Sequence, residues 1–265
     1  MADRELQVPA REVVLAARSL TVRAGSRCLV RELSFELAAG ELLAVLGCNG
    51  SGKTLTLHTL AGLRDPDTGS VLLEGAALAT LGRRSIALAI GVLTQDSEEG
   101  LAQRVLESVL IGRHPHLKLL EWERAADREL ALGCLARVGL SGFAERSLPT
   151  LSGGERRRAA MAALLTQDPR IFLLDEPTNH LDPQHQLRML ELYRELTRAG
   201  RAVVASLHDP TLAARFADRV LLLFGDGRWR EGPAAELLTA EQLTELYQTP
   251  IMQLTSGTRR VFVSV

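Results

Sequence analysis

Residues 47–54, GCNGSGKT, match the pattern G-x-x-x-x-G-K-[ST] in full. An apolar run typical of a strand precedes them and a run typical of a helix follows, which is the context that a phosphate-binding loop requires. Glycines allow successive backbone N–H groups to surround phosphates, a lysine can reach the β- and γ-phosphates, and a threonine supplies a hydroxyl to Mg²⁺. We therefore predict nucleotide contacts from Gly47, Cys48, Asn49, Gly50, Ser51, Gly52, Lys53 and Thr54.

Two acidic residues end the apolar run IFLLDEP at residues 171–177. At the end of a strand, Asp175 can hold Mg²⁺ through the water shell of the ion. Glu176 beside it can polarise an attacking water as general base. The alternative is a charged strand edge without chemistry, and the loop upstream favours the catalytic interpretation.

Two further polar residues follow apolar runs, Gln95 after IALAIGVLT and His208 after VVASL. In a parallel sheet these strand ends would meet at the same ligand-binding edge as Asp175. The neutral amide of Gln95 can touch Mg²⁺ or the attacking water and release them when they leave. We predict that His208 senses the γ-phosphate, and that Thr54, Gln95 and Asp175 serve the metal.

The stretch TLSGGERRRAA at residues 150–160 has two interpretations. Ser152 and Glu155 have the spacing of a capping box at the start of a helix. Gly153 and Gly154 leave the backbone bare at the same point, and a bare helix N-terminus binds anions. The stretch is therefore a helix cap, half of a phosphate site, or both.

The elements that must position these residues alternate between strands and helices. Runs typical of strands are 12–25, 28–40, 41–47, 70–75, 85–95, 171–177, 201–208 and 219–225, and runs typical of helices are 53–62 and 183–200. This alternation predicts an α/β core with a mainly parallel sheet. The two opening strands predict an antiparallel side sheet.

Two other regions flank or interrupt this core. From about residue 102 to 166 the signals are helical, which predicts a helical insertion whose inner face carries Leu130, Cys134 and Val138. Residues 224–232 are typical of a hairpin. The tail from Pro233 is typical of one or two short helices and a last strand.

Taken together, the motifs resemble an ATP-binding cassette (ABC) ATPase over nearly the whole chain. GCNGSGKT resembles Walker A, LSGGE (151–155) the signature and IFLLDE Walker B. Gln95 resembles the Q-loop glutamine, NHLD (179–182) the D-loop with Asp182 as its acid, and His208 the switch histidine. All of them occur in family order with family-like spacing.

The resemblance implies a P-loop NTPase (RecA-like) core with a mainly parallel sheet, an antiparallel β side sheet and an inserted α-helical subdomain. The implied boundaries are a single domain over 11–250, with the core at about 11–95 and 168–232, the helical subdomain at about 96–167, and a C-terminal extension over 233–265. It also implies ATP hydrolysis, with ATP and Mg²⁺ as cofactors.

The family pairs each P-loop with the signature of a second ATPase subunit in a head-to-tail homodimer. Ser152, Gly153, Gly154 and Glu155 would then face the ATP of the partner, since the P-loop of their own chain already has a full set of phosphate contacts. The two interpretations of the stretch are therefore compatible, and it is both a cap and half of a site.

The segments VLIGRHPHL (109–117) and TNHLDPQHQL (178–187) resemble the ATPases of bacterial importers for iron–siderophore, haem and cobalamin complexes. That resemblance implies a transmembrane permease, indirectly a periplasmic substrate-binding protein, and a location at the cytoplasmic face of the inner membrane. An ABC exporter ATPase is the main alternative because the same machinery hydrolyses ATP there. A soluble, non-transport ABC ATPase is a weaker alternative.

Three features depart from the family or invite another interpretation. Ala24 stands where the family usually stacks an aromatic residue on adenine, which predicts weaker affinity or base selectivity unless a neighbour such as Arg27 substitutes. Cys48 replaces a common proline, and we predict an inert loop residue that uses only its backbone. Three arginines follow at 156–158, and their side chains point about 100° apart on a helix, which predicts a solvated face with one arginine near the nucleotide of the partner.

Composition excludes several other classes. The net charge of −1 and the pI of about 6.6 give no overall basic footprint for nucleic acid. Cys28, Cys48 and Cys134 are too scattered for a disulfide framework or a zinc cluster. No apolar run approaches the ~18 residues that cross a bilayer.

Overall fold

The computed structural model describes residues 12–95, 103–118, 120–179, 181–257 and 259–265. Residue 11, the start of the predicted helical subdomain at 96–102, and His180 of the predicted D-loop lie outside these ranges. The strands are β1 Val13–Ala24, β2 Arg27–Ala38, β3 Leu42–Leu46, β4 Thr68–Leu73, β5 Ala76–Ala77, β6 Ile90–Leu93, β7 Ile171–Leu174, β8 Ala202–Ser206, β9 Arg219–Leu223, β10 Trp229–Pro233, β11 Ile251–Ser256 and β12 Arg259–Ser264. The helices are α1 Lys53–Leu60, α2 Arg83–Ala89, α3 Val105–Leu110, α4 Ala125–Arg137, α5 Gly153–Gln167, α6 Pro183–Arg198, α7 Pro210–Phe216, α8 Ala234–Leu237 and α9 Ala240–Tyr247, with short 3₁₀ helices at Leu78–Thr80, Ile111–His116 and Leu148–Thr150.

A six-stranded sheet in the order β10-β9-β3-β8-β7-β6 forms the centre of the molecule. Its strands are parallel except β10, which pairs antiparallel with β9 as the predicted hairpin. Along the fully buried β3, Leu42 and Leu46 pack into the hydrophobic cluster that contains α5 and α6, whereas Leu43 and Val45 pack into the cluster on the opposite face. Because both faces are covered, the strands contain nearly continuous apolar runs. The predicted mainly parallel α/β core is confirmed.

A second sheet, in the order β2-β1-β4-β5, is antiparallel throughout and covers one face of the core. Its buried side chains, such as Leu20 and Leu37, join those of Leu57 and Leu60 from α1 in one cluster. This arrangement confirms the predicted side sheet.

The prediction of one strand over 85–95 is wrong in its first half. Residues up to Ala89 form α2, and only Ile90–Leu93 pair with β7. Arg83, Arg84 and Ser85, at the start of α2, are exposed. The part of the run before Ile90 has no strand paired with it. A short apolar run with alanine and leucine is compatible with either element, and periodicity alone does not separate them.

The helical block consists of α3, α4 and α5. Cys134 and Val138 are buried as predicted, but Leu130 is 41% exposed, so its predicted place on the inner face is wrong. The buried stripe of α4 instead includes Ala131 and Leu135, which have the spacing of one helical face with Cys134 and Val138. The proposed domain boundaries stay a prediction.

The C-terminal extension contains the predicted short helices, α8 and α9, and the predicted last strand, β12. Sequence reasoning missed β11, which pairs antiparallel with β12. Phe262 is 9% exposed and its backbone N–H donates to Thr211 Oγ1 of α7 at 3.1 Å, so the hairpin packs on the core. Within the described ranges, no helix has the length and apolar character that crossing a membrane requires.

Candidate nucleotide site

The loop between β3 and α1 has the backbone geometry of a phosphate cradle. Gly52, immediately before α1, has φ of 103°, a left-handed conformation that glycine adopts without strain. A Cβ at Gly47 would lie 2.5 Å from the carbonyl oxygen of Leu223, so a side chain does not fit there. The predicted strand, loop and helix are therefore confirmed, and their glycines are required by the local geometry.

Lys53 lies inside this loop rather than in solvent. Lys53 is 5% exposed, and its Nζ donates to the carbonyl oxygens of Gly47 at 2.8 Å and Cys48 at 3.3 Å. Burial lowers the pKa of its ammonium, and the nearby charges of Glu176 and Asp175 oppose that shift. The loop thus surrounds a buried cation next to two carboxylates, which is an environment suited to a polyphosphate.

Asp175 and Glu176 follow β7 and are both buried. Asp175 Oδ1 accepts from Ser206 Oγ at 2.7 Å, and the same hydroxyl oxygen accepts from the backbone N–H of Glu176 at 2.7 Å. Asp175 Oδ2 is buried without a hydrogen-bond partner in the described part of the chain. Because a buried carboxylate oxygen is costly without a partner and oxygen is the ligand that Mg²⁺ prefers, the residues present fit this ion.

Sequence reasoning missed Ser206. It is fully buried at the end of β8, and one hydroxyl holds both acids in place. A signal existed in the sequence, because Ser206 is the polar residue of the otherwise apolar strand AVVAS.

Glu176 and His208 form a pair at the same edge of the sheet. Glu176 Oε1 lies 2.8 Å from His208 Nε2, and Oε2 accepts from the side-chain amide of Asn179. The φ of Glu176 is 47°, which is uncommon for a residue other than glycine. The hydroxyl of Tyr247 donates to the His208 carbonyl oxygen at 3.4 Å, so the C-terminal extension also reaches this edge.

Gln95 and Thr54 line one cavity of about 650 Å³ between the core and the helical block. Gln95 is exposed at the end of the segment that follows β6. The structure thus brings together at one edge the predicted loop, the strand-end acids, Gln95 and His208.

The signature residues lie in a different place. Ser152 Oγ accepts from Glu155 N–H at 3.2 Å and Ser152 N–H donates to Glu155 Oε2 at 2.7 Å, so the predicted capping box is confirmed. The hydrogen bond from the Ser152 backbone lowers the pKa of Glu155. A cavity of about 580 Å³ borders these residues together with Asp182, and no residue of the P-loop and neither strand-end acid lines it.

Asp182 caps α6. Its Oδ1 accepts from His185 N–H at 2.8 Å, and its carboxylate also contacts His185 Nδ1 at 2.8 Å. The backbone hydrogen bond from His185 lowers the pKa of Asp182. The carboxylate is exposed and faces the signature cavity.

The predicted solvated face of three arginines is wrong. Arg156 donates to the Leu151 carbonyl oxygen at 2.7 Å, and Arg158 donates to the Val138 carbonyl oxygen at 3.1 Å. Arg157 is 6% exposed and donates to carbonyl oxygens beyond the ends of β6 and β7. The signal that sequence reasoning missed is register, because Arg157 lies four residues before the buried Met161, on the inner stripe of α5.

The two departures near the P-loop have partners of their own. Arg27 is the register partner of Ala24, and its guanidinium donates to the Gly225 carbonyl oxygen at 2.9 Å. Cys48 Sγ contacts the Leu246 carbonyl oxygen of α9 at 3.3 Å. The Cys48 side chain therefore has a structural partner, and the prediction that it is inert at the nucleotide site stays a prediction.

Comparison with known proteins identifies the class. Residues 30–179 match the family model described as "ABC transporter". A hemin import ATP-binding protein HmuV of Gloeobacter violaceus is 45% identical over 79% of this chain and 78% of its own length. The petrobactin import ATP-binding protein FpuD of Bacillus anthracis is 35% identical over 88% and 86%.

Solved structures agree with this result. A metal-chelate type ABC transporter in an inward-facing conformation superimposes with a TM-score of 0.83 at 28% identity, covering 96% of this chain and 98% of that one. The dimeric MJ0796 cassette bound to ADP and Pi superimposes with a TM-score of 0.73 at 27% identity, covering 83% and 98%. The chain therefore belongs to the ABC transporter family and is an ATPase of that family.

Proposed function

We propose that this chain powers a bacterial importer of iron–siderophore, haem or cobalamin complexes. The observation that carries the proposal is its similarity, over most of both chains, to ATP-binding proteins named for hemin and petrobactin import. The structural likeness to a metal-chelate type ABC transporter supports metal chelates as the class of transported compound. An exporter subunit is the alternative that the shared ATPase geometry leaves open.

The P-loop holds the phosphates of ATP. Residues 47–54 supply backbone N–H groups and the Lys53 ammonium, which lies in the loop at hydrogen-bond distance from two of its carbonyl oxygens. Phosphate oxygens compete for this cation because they carry full negative charge. The Arg27 side chain donates to the Gly225 carbonyl oxygen, which holds it beside the loop. Arg27 lies opposite Ala24 where β1 turns into β2, and Ala24 itself offers no surface for stacking on adenine.

Thr54, Gln95 and Asp175 serve Mg²⁺. Within the described residues Asp175 Oδ2 is buried without a hydrogen-bond partner, and Ser206 holds the other oxygen so that the carboxylate keeps its orientation. The ion, when bound, neutralises charge on the β- and γ-phosphates. Thr54 and Gln95 line the same cavity, which supports their joint role.

Glu176 is the general base that polarises the attacking water, and His208 contacts the γ-phosphate. The separation of 2.8 Å between Glu176 Oε1 and His208 Nε2 supports a shared task, because the imidazole orients the carboxylate. Asn179 fixes the second carboxylate oxygen. The water thus meets a carboxylate whose two oxygens both have defined partners.

Ser152, Gly153, Gly154 and Glu155 face the ATP of a second copy of this chain. Two observations support a head-to-tail homodimer: the signature borders a cavity apart from the P-loop of its own chain, and the similar MJ0796 cassette is dimeric. Asp182 of the D-loop borders the same cavity and therefore lies in the same interface.

The dimer binds transmembrane permease subunits at the cytoplasmic face of the inner membrane, and a periplasmic substrate-binding protein acts indirectly. The permease contacts the helical subdomain at about 96–167, which moves relative to the core at about 11–95 and 168–232 when ATP binds and is hydrolysed. The extension at 233–265 contacts the core at Cys48 and His208.

Reconstitution tests this function. The chain is co-expressed with a candidate permease from the same organism, and the complex is placed in proteoliposomes with ATP on the outside. In this orientation the lumen corresponds to the periplasm. An importer therefore moves labelled haem, ferric siderophore or cobalamin from the lumen to the outside when the binding protein is enclosed. Movement of a labelled compound in the opposite direction, without need of a binding protein, would identify an exporter instead.

A further inference from the structure

Arg157 is the fifth residue of α5, the helix whose first turn carries the signature. Its Nη1 donates to the carbonyl oxygens of Thr94 and, at 3.3 Å, of Gln95, and its Nη2 donates to the carbonyl oxygen of Asp175. These carbonyls lie just beyond the ends of the neighbouring parallel strands β6 and β7. One guanidinium therefore joins the helical block to two strand ends of the core.

The buried charge of the Arg157 guanidinium needs compensating hydrogen bonds. Burying a charge is costly unless hydrogen bonds compensate it, and the guanidinium has five donors in a rigid plane. Three carbonyl oxygens from two segments converge on that plane. Because the plane is rigid, its contacts fix the spacing between the backbone of Gln95 and the backbone of Asp175.

The neighbouring arginines show that this role is specific to one position. Arg156 binds the Leu151 carbonyl oxygen beside the start of its own helix, and Arg158 binds carbonyl oxygens at the end of α4, within the helical block. Among the hydrogen bonds to described residues, those of Arg157 alone of these three cross to the core sheet.

We propose that Arg157 is a positioning residue for the ATP site of its own chain, although its helix presents the signature to the ATP site of the partner. It holds the backbone of Gln95 and Asp175, and with them Glu176, in the spacing that hydrolysis needs. This inference rests on the proposed roles of Gln95, Asp175 and Glu176. It adds a residue that the sequence motifs do not include.

The first test replaces Arg157 with Gln, which keeps polar donors but removes the rigid charged plane. We expect kcat to fall about 100-fold, as expected for small displacements of catalytic groups, with the Kd of the isolated subunit for ATP changed less than threefold. Arg157→Lys restores part of kcat because its ammonium reaches one or two of the carbonyls. An Arg157→Gln kcat within threefold of the wild type, or an equal loss of kcat and ATP affinity, would overturn the proposal.

Arg113→Gln is the matched control. Arg113 is half-buried in the helical block and donates to a carbonyl oxygen of α5, that of Thr166 at 3.2 Å, at the end of the helix opposite to Arg157. We expect a loss of thermal stability with kcat changed less than threefold. A comparable fall in kcat in both variants would show that anchoring α5 anywhere matters and would refute a specific role for Arg157.

Mixed dimers decide which site the residue serves. With Glu176→Gln in one subunit, one ATP site stays active, and Arg157→Gln is placed either in the subunit that supplies the P-loop of that site or in the subunit that supplies its signature. We expect the loss only in the first arrangement. A loss only in the second arrangement, or equal losses in both, would overturn the assignment. Full activity of Glu176→Gln homodimers would instead contradict the proposed function itself.

Discussion

The strand-end site and the signature site differ in burial and in how their polar groups are satisfied. Lys53, Asp175 and Glu176 are all less than a tenth exposed, and one oxygen of Asp175 is free in the described part of the chain. Ser152 and Asp182 are exposed, and each has the hydrogen bonds of an ordinary helix cap. Buried, incompletely satisfied charges indicate a place for ligands and chemistry, whereas exposed, satisfied caps indicate a surface that becomes part of a site on assembly.

The largest expected effect separates the two sites at Glu176. Glu176→Gln removes the base while keeping a side chain of the same size, so phosphate release falls about 1,000-fold, within the range for a general base. ATP binding persists, and the dimer accumulates in size-exclusion chromatography. Glu191→Gln, an exposed glutamate on α6, serves as control. Undiminished phosphate release by Glu176→Gln would end the assignment of this residue as base.

Ser206→Ala tests whether the buried hydroxyl supports the acids. Asp175 and the Glu176 backbone both lose their partner, so we expect the Mg²⁺ concentration for half-maximal hydrolysis to rise about 10-fold, as for partners of metal ligands. Mg²⁺ titration of the ATPase measures this change, and ATP binding in EDTA reports whether the P-loop is intact. An unchanged Mg²⁺ requirement would show that the hydroxyl only packs the core.

Ser152→Ala tests the other side of the comparison. Loss of the cap costs about 1 kcal/mol of stability. Hydrolysis by the dimer should fall several-fold, while ATP binding by the isolated subunit stays nearly unchanged. Thr239→Ala removes the equivalent cap of α9, away from the signature, and should cost similar stability with normal hydrolysis. Equal loss of binding and hydrolysis in Ser152→Ala would return the stretch to a simple cap.

The smallest expected effect concerns the base of the nucleotide. Ala24→Tyr adds a stacking surface beside Arg27 and should tighten ATP binding about fivefold, the low end of base–aromatic stacking. Isothermal titration with ATP and GTP compares the two nucleotides, with Ala24→Ser as control. No gain for ATP would refute the idea that Ala24 leaves a stacking position empty.

The sequence predicts those parts of the molecule that depend on local spacing. The P-loop, the capping box at Ser152 and the apolar parallel strands all follow from residues close together in the chain, and the structure confirms their local geometry. The roles of the individual site residues stay predictions. The sequence predicts that Glu176 and His208 lie at the same sheet edge, because both follow strand ends, but it does not predict their direct contact.

The parts that sequence reasoning missed depend on partners distant in the chain. The burial of Arg157 requires carbonyl oxygens of Thr94 and Asp175, and the role of Ser206 requires the end of β7 beside it. The helical start of the run 85–95 depends on how much of it the neighbouring strand covers. A local pattern does not contain this information.

The left-handed backbone at Glu176 places two demands on one residue. A residue with a Cβ pays about 1–2 kcal/mol for this conformation, and glycine avoids that cost. Glycine would remove this cost but also the contacts of the carboxylate with His208 and Asn179, so a glutamate at this strained position fits the proposed role of its carboxylate. Directed evolution of a heat-resistant variant should therefore screen turnover at every round, since a substitution that relieves the backbone strain at this position would also remove the proposed base.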